Sequence, residues 1–397
     1  MDKKTVAILF GGKSAEHEVS LQSAKNIFDA LDREKYRVVL IGIDKSGQWL
    51  LQEEAQFLLN AQDPQHIKLS PAANPVTLIP QRGLAAASPG ARASSSSAAP
   101  SPSGSAPPAA SDTSLAGSAA PGHAASGPPL LPIDVVFPIL HGPFGEDGTV
   151  QGLLKLADLP FVGSDVLGSA VGMDKDAMKR LLRDAGIPIA KFIVLHSHEK
   201  APDFAEIARE LGLPLFLKPA NMGSSVGVSK INTEAEYREG IAAAYQYDRK
   251  IIIEEYIQGR EIECSVLGNE EPRASLPGEV IPTHDFYSYS AKYLDEAGAV
   301  LEIPAKLPES TVREVQALAI KAFECLCCEG LARVDFFLKP NGEILVNEIN
   351  TMPGFTRISM YPKLWGVSGI GYSELLDELI ELAIRRHRSE SQLKTSY

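Results

Sequence analysis

Residues 84–128 set the strongest limit on what this chain of 397 residues can fold into. Ala, Ser, Pro and Gly account for 39 of these 45 positions, and Arg92 and Asp112 are the only charged residues. Large apolar side chains are scarce, so burial cannot offset the entropy of ordering the segment. Seven prolines and five glycines argue against a long helix, which so many alanines would otherwise favour. We therefore predict a disordered surface insertion, which leaves at most 352 residues for folded structure.

Segments on either side of the insertion indicate one domain with a parallel sheet. An apolar strand, Thr5–Phe10, leads through Gly11-Gly12 into a helix around Glu16–Leu31, and a second strand covers Arg37–Ile43. This strand–helix–strand order is typical of parallel sheets. Beyond the insertion, the apolar run Ile133–Leu140 suits a further buried strand. The insertion therefore interrupts one domain.

Charge and hydropathy argue against two classes of partner. The formal net charge is −12 and long Lys/Arg runs are absent, so the chain is a poor candidate for binding nucleic-acid phosphates. It contains no run of about 18 apolar residues that could span a membrane, and the short apolar run at the N-terminus is unlike a signal peptide. Four cysteines form neither a disulfide framework nor a paired CxxC site. We expect a cytoplasmic protein with no nucleic-acid or membrane partner.

The strongest chemical signal is a predicted hairpin late in the chain. Residues 333–338 and 343–350 flank Asn341-Gly342, a favoured two-residue turn. Counting outward from this turn predicts three opposed pairs: Leu338 with Leu345, Asp335 with Glu348, and Arg333 with Asn350. Directly opposed carboxylates destabilise a sheet unless a cation lies between them. Asp335, Glu348 and Asn350 would share one face and offer the oxygen ligands that suit Mg²⁺ bound jointly with substrate phosphates. A solvated face with incidental charges is less favoured, because the flanking residues are heavily apolar.

Two further segments could contact a nucleotide. Lys218 ends an apolar strand and leads into a Gly/Ser loop, residues 221–228, whose backbone N–H groups could surround a phosphate. No GK[ST] follows, so this is not a Walker A loop, and a surface hairpin explains the loop alone nearly as well. Acidic residues that end the apolar strand Ile251–Ile257 and follow it, from Glu254 to Glu263, could contact adenine and ribose, although alone they are better explained as the solvated end of a strand. A Mg²⁺ site downstream gives both segments more weight.

Two loops of the N-terminal domain are weaker candidates. Gly11–Glu16 is a strand-to-helix turn of the kind that binds anions. His141–Gly148 follows a buried strand at its carboxyl end, where open α/β sheets usually bind ligands. Purely structural glycine turns are the competing interpretation of both loops.

Taken in order, the motifs resemble those of the D-alanine–D-alanine ligases of the ATP-grasp superfamily. The matching segments are GGKSAEHEVS from Gly11, HGPFGEDGTVQG from His141, MDKDAMK from Met173, LKPANMGSSVGVSK from Leu217, EEYIQGREIE from Glu254, DFYSYSAKY from Asp285, ARVDFFL from Ala332 and NEINTMPGFT from Asn347. The resemblance covers nearly the whole chain apart from residues near 50–130. It implies a Rossmann-like N-terminal domain over residues 1–163, followed by a two-subdomain ATP-grasp fold with a central part over 164–254 and a C-terminal part over 255–397.

The resemblance also implies a reaction. ATP would phosphorylate the carboxylate of one D-alanine, and the amine of a second would attack the acylphosphate to give D-alanyl-D-alanine for peptidoglycan precursors. Two Mg²⁺ ions, or Mn²⁺ in their place, would be bound by Asp335, Glu348 and Asn350. Because the family is commonly dimeric, a homodimer is expected.

Site residues are carried over only where this sequence matches the family's motifs. The residues that would bind ATP are Lys175, Lys218, Ser225, Glu254, Glu255, Ile257, Glu261 and Lys292. The first two lysines would contact phosphates, and Lys292 would approach the γ-phosphate. Glu254 would accept from the adenine amine with backbone help from Glu255 and Ile257, and Glu261 would contact the ribose.

The residues that would bind or act on D-alanine are Glu16, His141, Ser224, Tyr293, Arg333, Gly354 and Ser359. Glu16 would hold the ammonium group of the first D-alanine, in a hydrogen-bonded triad with Ser224 and Tyr293, and His141 would lie near that substrate. Arg333 and the backbone of Gly354 would stabilise the oxyanion. Ser359 would bind the carboxylate of the second substrate.

Three alternatives remain. The chain could join D-alanine to D-lactate, although relatives that use D-lactate carry a different loop at Tyr293. Arg357 stands where a small residue is more usual in the family, so the sequence departs from the family pattern near the expected second-substrate pocket. It could be an ATP-binding regulatory module without turnover, against which the intact lysines and oxygen ligands argue. It could also be a scaffold that uses residues 84–128 as a tether.

Overall fold

The computed structural model describes residues 3–79, 83–86, 130–282 and 299–394, apart from 55–56, 62, 64–65 and 72–73. Most of the predicted insertion, residues 87–128, and two predicted site residues, Lys292 and Tyr293, lie outside the described residues. Three large β-sheets with helices packed on them confirm the predicted α/β architecture. No helix of the described ranges is both long enough and apolar enough to cross a membrane.

The helices of the described residues are α1 (His17–Ala30), α2 (Thr149–Leu156), α3 (Val166–Met173), α4 (Lys175–Asp184), α5 (Phe204–Leu211), α6 (Glu234–Ala244), α7 (Glu309–Cys325), α8 (Met360–Val367) and α9 (Tyr372–Ser391).

The first sheet contains the predicted strand–helix–strand unit. Its strands are β1 (Lys4–Gly11), β2 (Tyr36–Ile43), β3 (Trp49–Gln52), β6 (Asn74–Ile79), β7 (Gly83–Ala86), β8 (Leu130–Leu131) and β9 (Val135–Ile139), while β4 (Leu58–Leu59) and β5 (Lys68–Leu69) form a separate pair. The order across the sheet is β8-β7-β6-β3-β2-β1-β9. Strands β2, β1 and β9 pair in parallel, whereas β3, β6, β7 and β8 add antiparallel pairs. The predicted parallel sheet is therefore the central part of a mixed one.

Alternating side chains of β1 build two cores, one on each face of this sheet. Val6, Ile8 and Phe10 pack with apolar residues of α1 and of the C-terminal helix α9. Ala7 and Leu9 face the opposite way, toward α2. The end of the chain thus returns to the first sheet and closes one side of its core.

Strand β7 corrects the predicted start of the insertion. Leu84, Ala85 and Ala86 pair with β6 on one side, and Ala85 pairs with Leu130 of β8 on the other. These alanines have the same composition as the residues that follow, so composition alone cannot separate the strand from the insertion. Backbone hydrogen bonds hold a strand of this kind without large side chains.

Two antiparallel sheets follow. The second contains β10 (Phe192–His196), β11 (Leu215–Pro219), β12 (Ser229–Ile231) and β13 (Lys250–Glu255), in the order β10-β13-β11-β12. The third contains β14 (Arg260–Gly268), β15 (Arg273–Ala274), β16 (Gly278–Pro282), β17 (Ala299–Glu302), β18 (Gly330–Leu338) and β19 (Ile344–Asn350), in the order β17-β16-β14-β18-β19 with β15 beside β14. The division into domains after residues 163 and 254 stays a prediction.

The hairpin of β18 and β19 confirms the predicted pairs at the candidate site. Arg333 lies opposite Asn350, and Asp335 lies opposite Glu348. All four are half-buried, whereas the residues that alternate with them on β18 are buried. The four side chains therefore share the exposed face of the hairpin.

Near the turn the predicted register is wrong by one residue. Leu338 lies opposite Ile344 and not Leu345, because the connection contains three residues, Pro340–Gly342, with Gly342 in the left-handed region. Three-residue connections of this type shift the pairing by one position. A bulge at Asn347 then adds one residue to β19 and restores the predicted register toward the site. Two shifts of one residue cancel.

The first test concerns the insertion. Replacing residues 86–129 with Asn-Gly would join the paired residues Ala85 and Leu130 by a two-residue hairpin turn. Since long surface loops change stability little, we expect the Tm to stay within about 3 °C and ATP turnover with D-alanine within about threefold. The control deletes residues 84–128, which removes three residues of β7, and should lower the Tm by more than about 5 °C. A large loss in the Asn-Gly chain would mean that the replaced residues take part in the fold or the site.

Candidate active site

A cleft runs between the second and third sheets and reaches the loops of the first. One part, of about 480 Å³, lies between the two antiparallel sheets. The other part, of about 360 Å³, lies between the third sheet and the first-sheet loops. Gly223, Ser224, Glu261, Asn347 and Glu348 border both parts, so they form one continuous space. Every predicted site residue that the structure describes borders it.

A paired guanidinium and carboxylate occupy the exposed face of the β18–β19 hairpin. Arg333 Nε and Nη2 each lie 2.7 Å from one oxygen of Asp335, and the Asn350 amide donates to Asp335 Oδ2 over 3.0 Å. Arg333 Nε also lies 2.9 Å from Glu263 Oε2, on the neighbouring strand β14. The guanidinium is thus held between two carboxylates, which fixes its direction in the cleft.

Asp335, Glu348 and Asn350 form what we call the oxygen-ligand face. Their donor atoms are of the type that Mg²⁺ prefers. Among the described residues, no group of three or more His, Cys, Asp or Glu side chains could hold a metal. An ion here would therefore need the Asn350 amide and substrate phosphate oxygens as well. Lys175 Nζ donates to the carbonyl of Met222 over 2.8 Å and lies 3.6 Å from Glu348 Oε2, between the face and the Gly/Ser loop.

Glu254 is buried between two lysines. Lys218 Nζ lies 2.6 Å from its Oε2. Lys179 Nζ lies 2.9 Å from its Oε1, an ion-pair separation without the angle of a directed hydrogen bond. Burial alone would raise the pKa of Glu254, but the two ammonium groups outweigh it and lower that pKa to about 2. Glu254 is therefore a carboxylate, and the predicted contact with adenine stays a prediction.

Burial affects the two lysines differently. It lowers the pKa of Lys179, and the neighbouring Glu254 does not fully compensate. At Lys218 the combined charges of Glu254 and Glu348 outweigh burial and raise the pKa. The lysine that borders the cleft is thus the more firmly protonated of the two.

The backbone beyond Glu254 follows the edge of the cleft. The Glu255 N–H donates to the Lys191 carbonyl over 3.1 Å, and the Glu255 side chain accepts from the Lys191 N–H over 2.7 Å. A backbone contact from Glu255 to a base would therefore use its carbonyl. Ile257 follows the end of β13, and Glu261 lies in β14 beside both parts of the cleft. The contacts of these residues with base and ribose stay predictions.

The Gly/Ser loop, residues 221–228, joins β11 to β12 of the second sheet and contacts Glu16 beside the first sheet. The Ser224 hydroxyl donates to Glu16 Oε1, which is the part of the predicted triad that the described residues contain. Ser224 and Ser225 both adopt left-handed backbone, with φ of +52° and +59°. Non-glycine residues in this region are uncommon and concentrate in loops that bind ligands.

His141 lies near Glu16 at the carboxyl end of β9. Its Nδ1 lies 3.0 Å from the Met352 carbonyl and 3.5 Å from Glu146 Oε1. Burial acts to lower the pKa of His141, but Glu146, with help from Glu16 and the Met352 carbonyl, outweighs it and raises that pKa, while burial raises the pKa of Glu146. Gly142 has φ of +70°, and a Cβ there would lie 2.7 Å from Glu16 Oε2. The turn therefore needs glycine to bring Glu16 and His141 together.

Ser359 lies at the start of α8, beside the same part of the cleft as Gly354. Its Oγ accepts from the Thr356 N–H over 2.9 Å and lies 2.8 Å from the Thr356 hydroxyl. Arg357, the departure from the family pattern, is exposed. Its side chain does not fill the space that borders Ser359.

Four residues that border or support the cleft have no individual role in the sequence prediction: Lys179, Glu146, Glu263 and Asn347. Lys179 lies one helical turn after Lys175, a spacing that places both on one side of α4. Glu263 follows a predicted residue by two on the same strand, so it shares that strand's face. Asn347 enters the cleft only because of the bulge, which the sequence does not reveal.

Two protein-family models match this chain: "D-ala D-ala ligase N-terminus" over residues 5–164 and "D-ala D-ala ligase C-terminus" over residues 181–381. The chain belongs to the D-alanine–D-alanine ligase family. A D-alanine–D-alanine ligase of Shouchella clausii is 53% identical over 397 residues, which cover 100% of this chain and 99% of that protein. The predicted family is confirmed.

Solved structures of the family agree with the fold. The D-alanine–D-alanine ligase of Coxiella burnetii superposes with a TM-score of 0.77 at 36% identity, over 98% of each chain. The VanG D-Ala:D-Ser ligase of Enterococcus faecalis also gives a TM-score of 0.77, at 33% identity, over 96% of this chain and 100% of that one. These neighbours confirm the predicted ATP-grasp architecture.

The second test removes one charge from the oxygen-ligand face. Glu348→Gln keeps the size of the side chain but weakens the binding of any divalent ion that the face shares with phosphate. We therefore expect kcat to fall by about 100-fold or more. The matched control is Glu343→Gln, on the same hairpin but paired with Lys339 at the surface, which should keep kcat within about twofold. Steady-state turnover and thermal unfolding are measured for both. A near-normal kcat for Glu348→Gln would contradict the metal assignment.

Proposed function

We propose that this chain joins two D-alanine molecules through a D-alanyl phosphate intermediate, with ATP converted to ADP and phosphate, in the synthesis of peptidoglycan precursors. Membership of the family supports this activity. The observation that carries it is the continuous cleft, in which the oxygen-ligand face and the lysines meet the Ser224–Glu16 contact. A phosphate donor and an amino acid can lie side by side in such a space.

In the first step, a carboxylate oxygen of the first D-alanine attacks the γ-phosphorus, the bond to the β–γ bridging oxygen breaks, and ADP leaves. Lys175 and Lys218 would hold the phosphates, and Lys292 would reach the γ-phosphate. Two Mg²⁺ ions, or Mn²⁺ in their place, would lie on the oxygen-ligand face and offset phosphate charge. Phosphorylation turns a poor electrophile into an acyl group with a good leaving group.

In the second step, the amine of the second D-alanine attacks the acyl carbon, the nitrogen loses a proton, and phosphate leaves. Glu16, fixed by Ser224, would hold the ammonium group of the first D-alanine. Arg333 and the backbone N–H of Gly354 would stabilise the negative oxygen of the tetrahedral intermediate. Ser359 would bind the carboxylate of the second D-alanine. The contacts of Arg333 with two carboxylates support this role, because a guanidinium fixed in advance needs no reorganisation.

Each of the three large sheets would contribute to binding a particular substrate. Residues 1–163 would bind the first D-alanine, while residues 164–254 and 255–397 would enclose ATP between them. A cytoplasmic location is part of the same proposal, because the reaction uses cellular ATP and free D-alanine.

The alternatives differ in the second substrate or in turnover. A structural neighbour at 33% identity is named as a D-Ala:D-Ser ligase, whereas the relative at 53% identity is named as a D-alanine–D-alanine ligase. The closer agreement in sequence favours D-alanine over D-serine or D-lactate. An ATP-binding module without turnover is disfavoured, because the predicted lysines and oxygen ligands of the described residues all border one cleft.

The third test follows an oxygen atom. With D-alanine labelled with ¹⁸O in its carboxylate, each turnover should transfer one ¹⁸O to inorganic phosphate and form one dipeptide and one ADP, as measured by mass spectrometry. The controls supply D-alanine with D-lactate or D-serine. Phosphate release only with D-lactate would favour the depsipeptide reaction, and ATP bound without any turnover would favour the regulatory module. Unlabelled phosphate would contradict the acylphosphate step.

The fourth test concerns the homodimer. Large apolar side chains of α2 and α3 are exposed, with Leu153, Leu156 and Leu167 at 43%, 81% and 59%. A second copy of the chain could cover them. We expect Leu156→Glu to shift the chain from dimer to monomer in analytical ultracentrifugation, whereas Val367→Glu, an exposed site on α8, should not. A monomeric wild-type chain would contradict this part of the proposal.

A further inference from the structure

We propose that Lys179 is a positioning residue for nucleotide recognition: it holds Glu254 as an acceptor for the base, so that the site selects a 6-amino purine over a 6-oxo purine. The inference rests on the proposed function, because it assumes that ATP lies between the second and third sheets. It adds a residue that does not itself border the cleft.

Lys179 is placed to contact Glu254 and not the substrate. Its side chain is fully buried, with 0% exposure, and its Nζ lies 2.9 Å from Glu254 Oε1. On its other side it lies 5.9 Å from the centre of the Phe192 ring. An ammonium group enclosed in this way cannot extend to a phosphate in the cleft. A fully buried lysine is costly unless a carboxylate compensates its charge, and Glu254 is the carboxylate that lies within ion-pair distance.

Lys218 differs from Lys179 because it borders the cleft. It lies 2.6 Å from Glu254 Oε2 and is the lysine that is expected to contact phosphate. If Lys218 turns toward a phosphate, Oε2 becomes available to the base and Glu254 keeps one cation, Lys179. The charged groups around this carboxylate come from three elements: Lys179 from α4, Lys218 from β11 and, at longer range, Glu348 from β19. Lys179 is therefore the partner that does not depend on the nucleotide.

A carboxylate in this position discriminates between bases by hydrogen bonding. It can only accept, so it pairs with the 6-amino group of adenine and repels the 6-oxo group of hypoxanthine. A site built around one hydrogen bond rejects analogues that cannot form it far more strongly than an apolar pocket rejects a change in size. Without Lys179, the carboxylate would retain Lys218 or take up a proton, and either change weakens the preference for adenine.

The experiment compares Lys179→Met with the wild-type chain, using ATP and ITP as the nucleotides and D-alanine as the substrate. We expect the KM for ATP to rise about tenfold or more, while kcat and the KM for D-alanine stay within about threefold. The ratio of kcat/KM for ATP over ITP should fall about tenfold. The matched control is Arg180→Met, the next residue of α4, whose side chain is 58% exposed. It removes the same charge from the same helix and should change none of these values by more than about twofold.

A double-mutant cycle separates positioning from a structural role. Glu254→Gln replaces the carboxylate with a neutral amide that needs no cation, so adding Lys179→Met to it should change the KM for ATP by less than about twofold. If Lys179→Met alone unfolds, the double variant should regain a cooperative thermal transition. An unchanged KM for ATP in Lys179→Met, an equal loss in the Glu254→Gln background, or a double variant that also fails to fold would each overturn the inference. A wild-type chain that releases no phosphate with ATP and D-alanine would instead contradict the proposed function.

Discussion

Asp335 and Glu348 face each other across β18 and β19, and carboxylates at this spacing need positive charge from elsewhere in the chain. Arg333, on the same strand, supplies it to Asp335. Lys175, the first residue of α4, brings its ammonium group to 3.6 Å from Glu348. Helix α4 in turn packs through buried Met178 into the core of the third sheet. The same packing brings the next turn of α4 toward Glu254. Helix α4 thus serves both carboxylate sites, because Lys175 compensates the hairpin and Lys179 compensates Glu254.

Much of the fold could be predicted from local pattern. Short apolar runs followed by glycine turns identify β1, β2 and β9, and the end of each run lies within two residues of the strand that forms. Strand β7 could not be found in this way, because its alanines carry no pattern and its backbone pairs on both sides define it. The hairpin shows a subtler limit. The pairs at Asp335 and Arg333 were predicted correctly although the turn was one residue longer than assumed, because the bulge at Asn347 compensates.

The candidate site was less accessible to sequence than the fold. Residue types and strand periodicity suffice for the oxygen-ligand face, whose members are close in sequence. The contact between Ser224 and Glu16 joins residues far apart in the chain, and only resemblance to a family suggested it. Lys179 was missed for a related reason: a lysine on a helix is usually solvated, and its burial becomes visible only when the second sheet covers it. Charged partners that are distant in the chain therefore cannot be paired from the sequence alone.

Several charged side chains of the cleft contact one another in pairs, and a substrate or an ion could take the place of either partner. Lys218 contacts Glu254, Lys175 approaches Glu348, and Arg333 contacts Asp335, so each of these three cations has a carboxylate beside it, although the chain as a whole carries −12. Phosphates would attract the lysines, and a divalent cation would attract the carboxylates of the hairpin. If phosphate drew Lys175 away alone, the opposed carboxylates would lose part of their compensation, and an ion alone would have to compete with the lysine. Because each change would offset the charge that the other leaves behind, the arrangement would suit a nucleotide that enters together with a divalent cation.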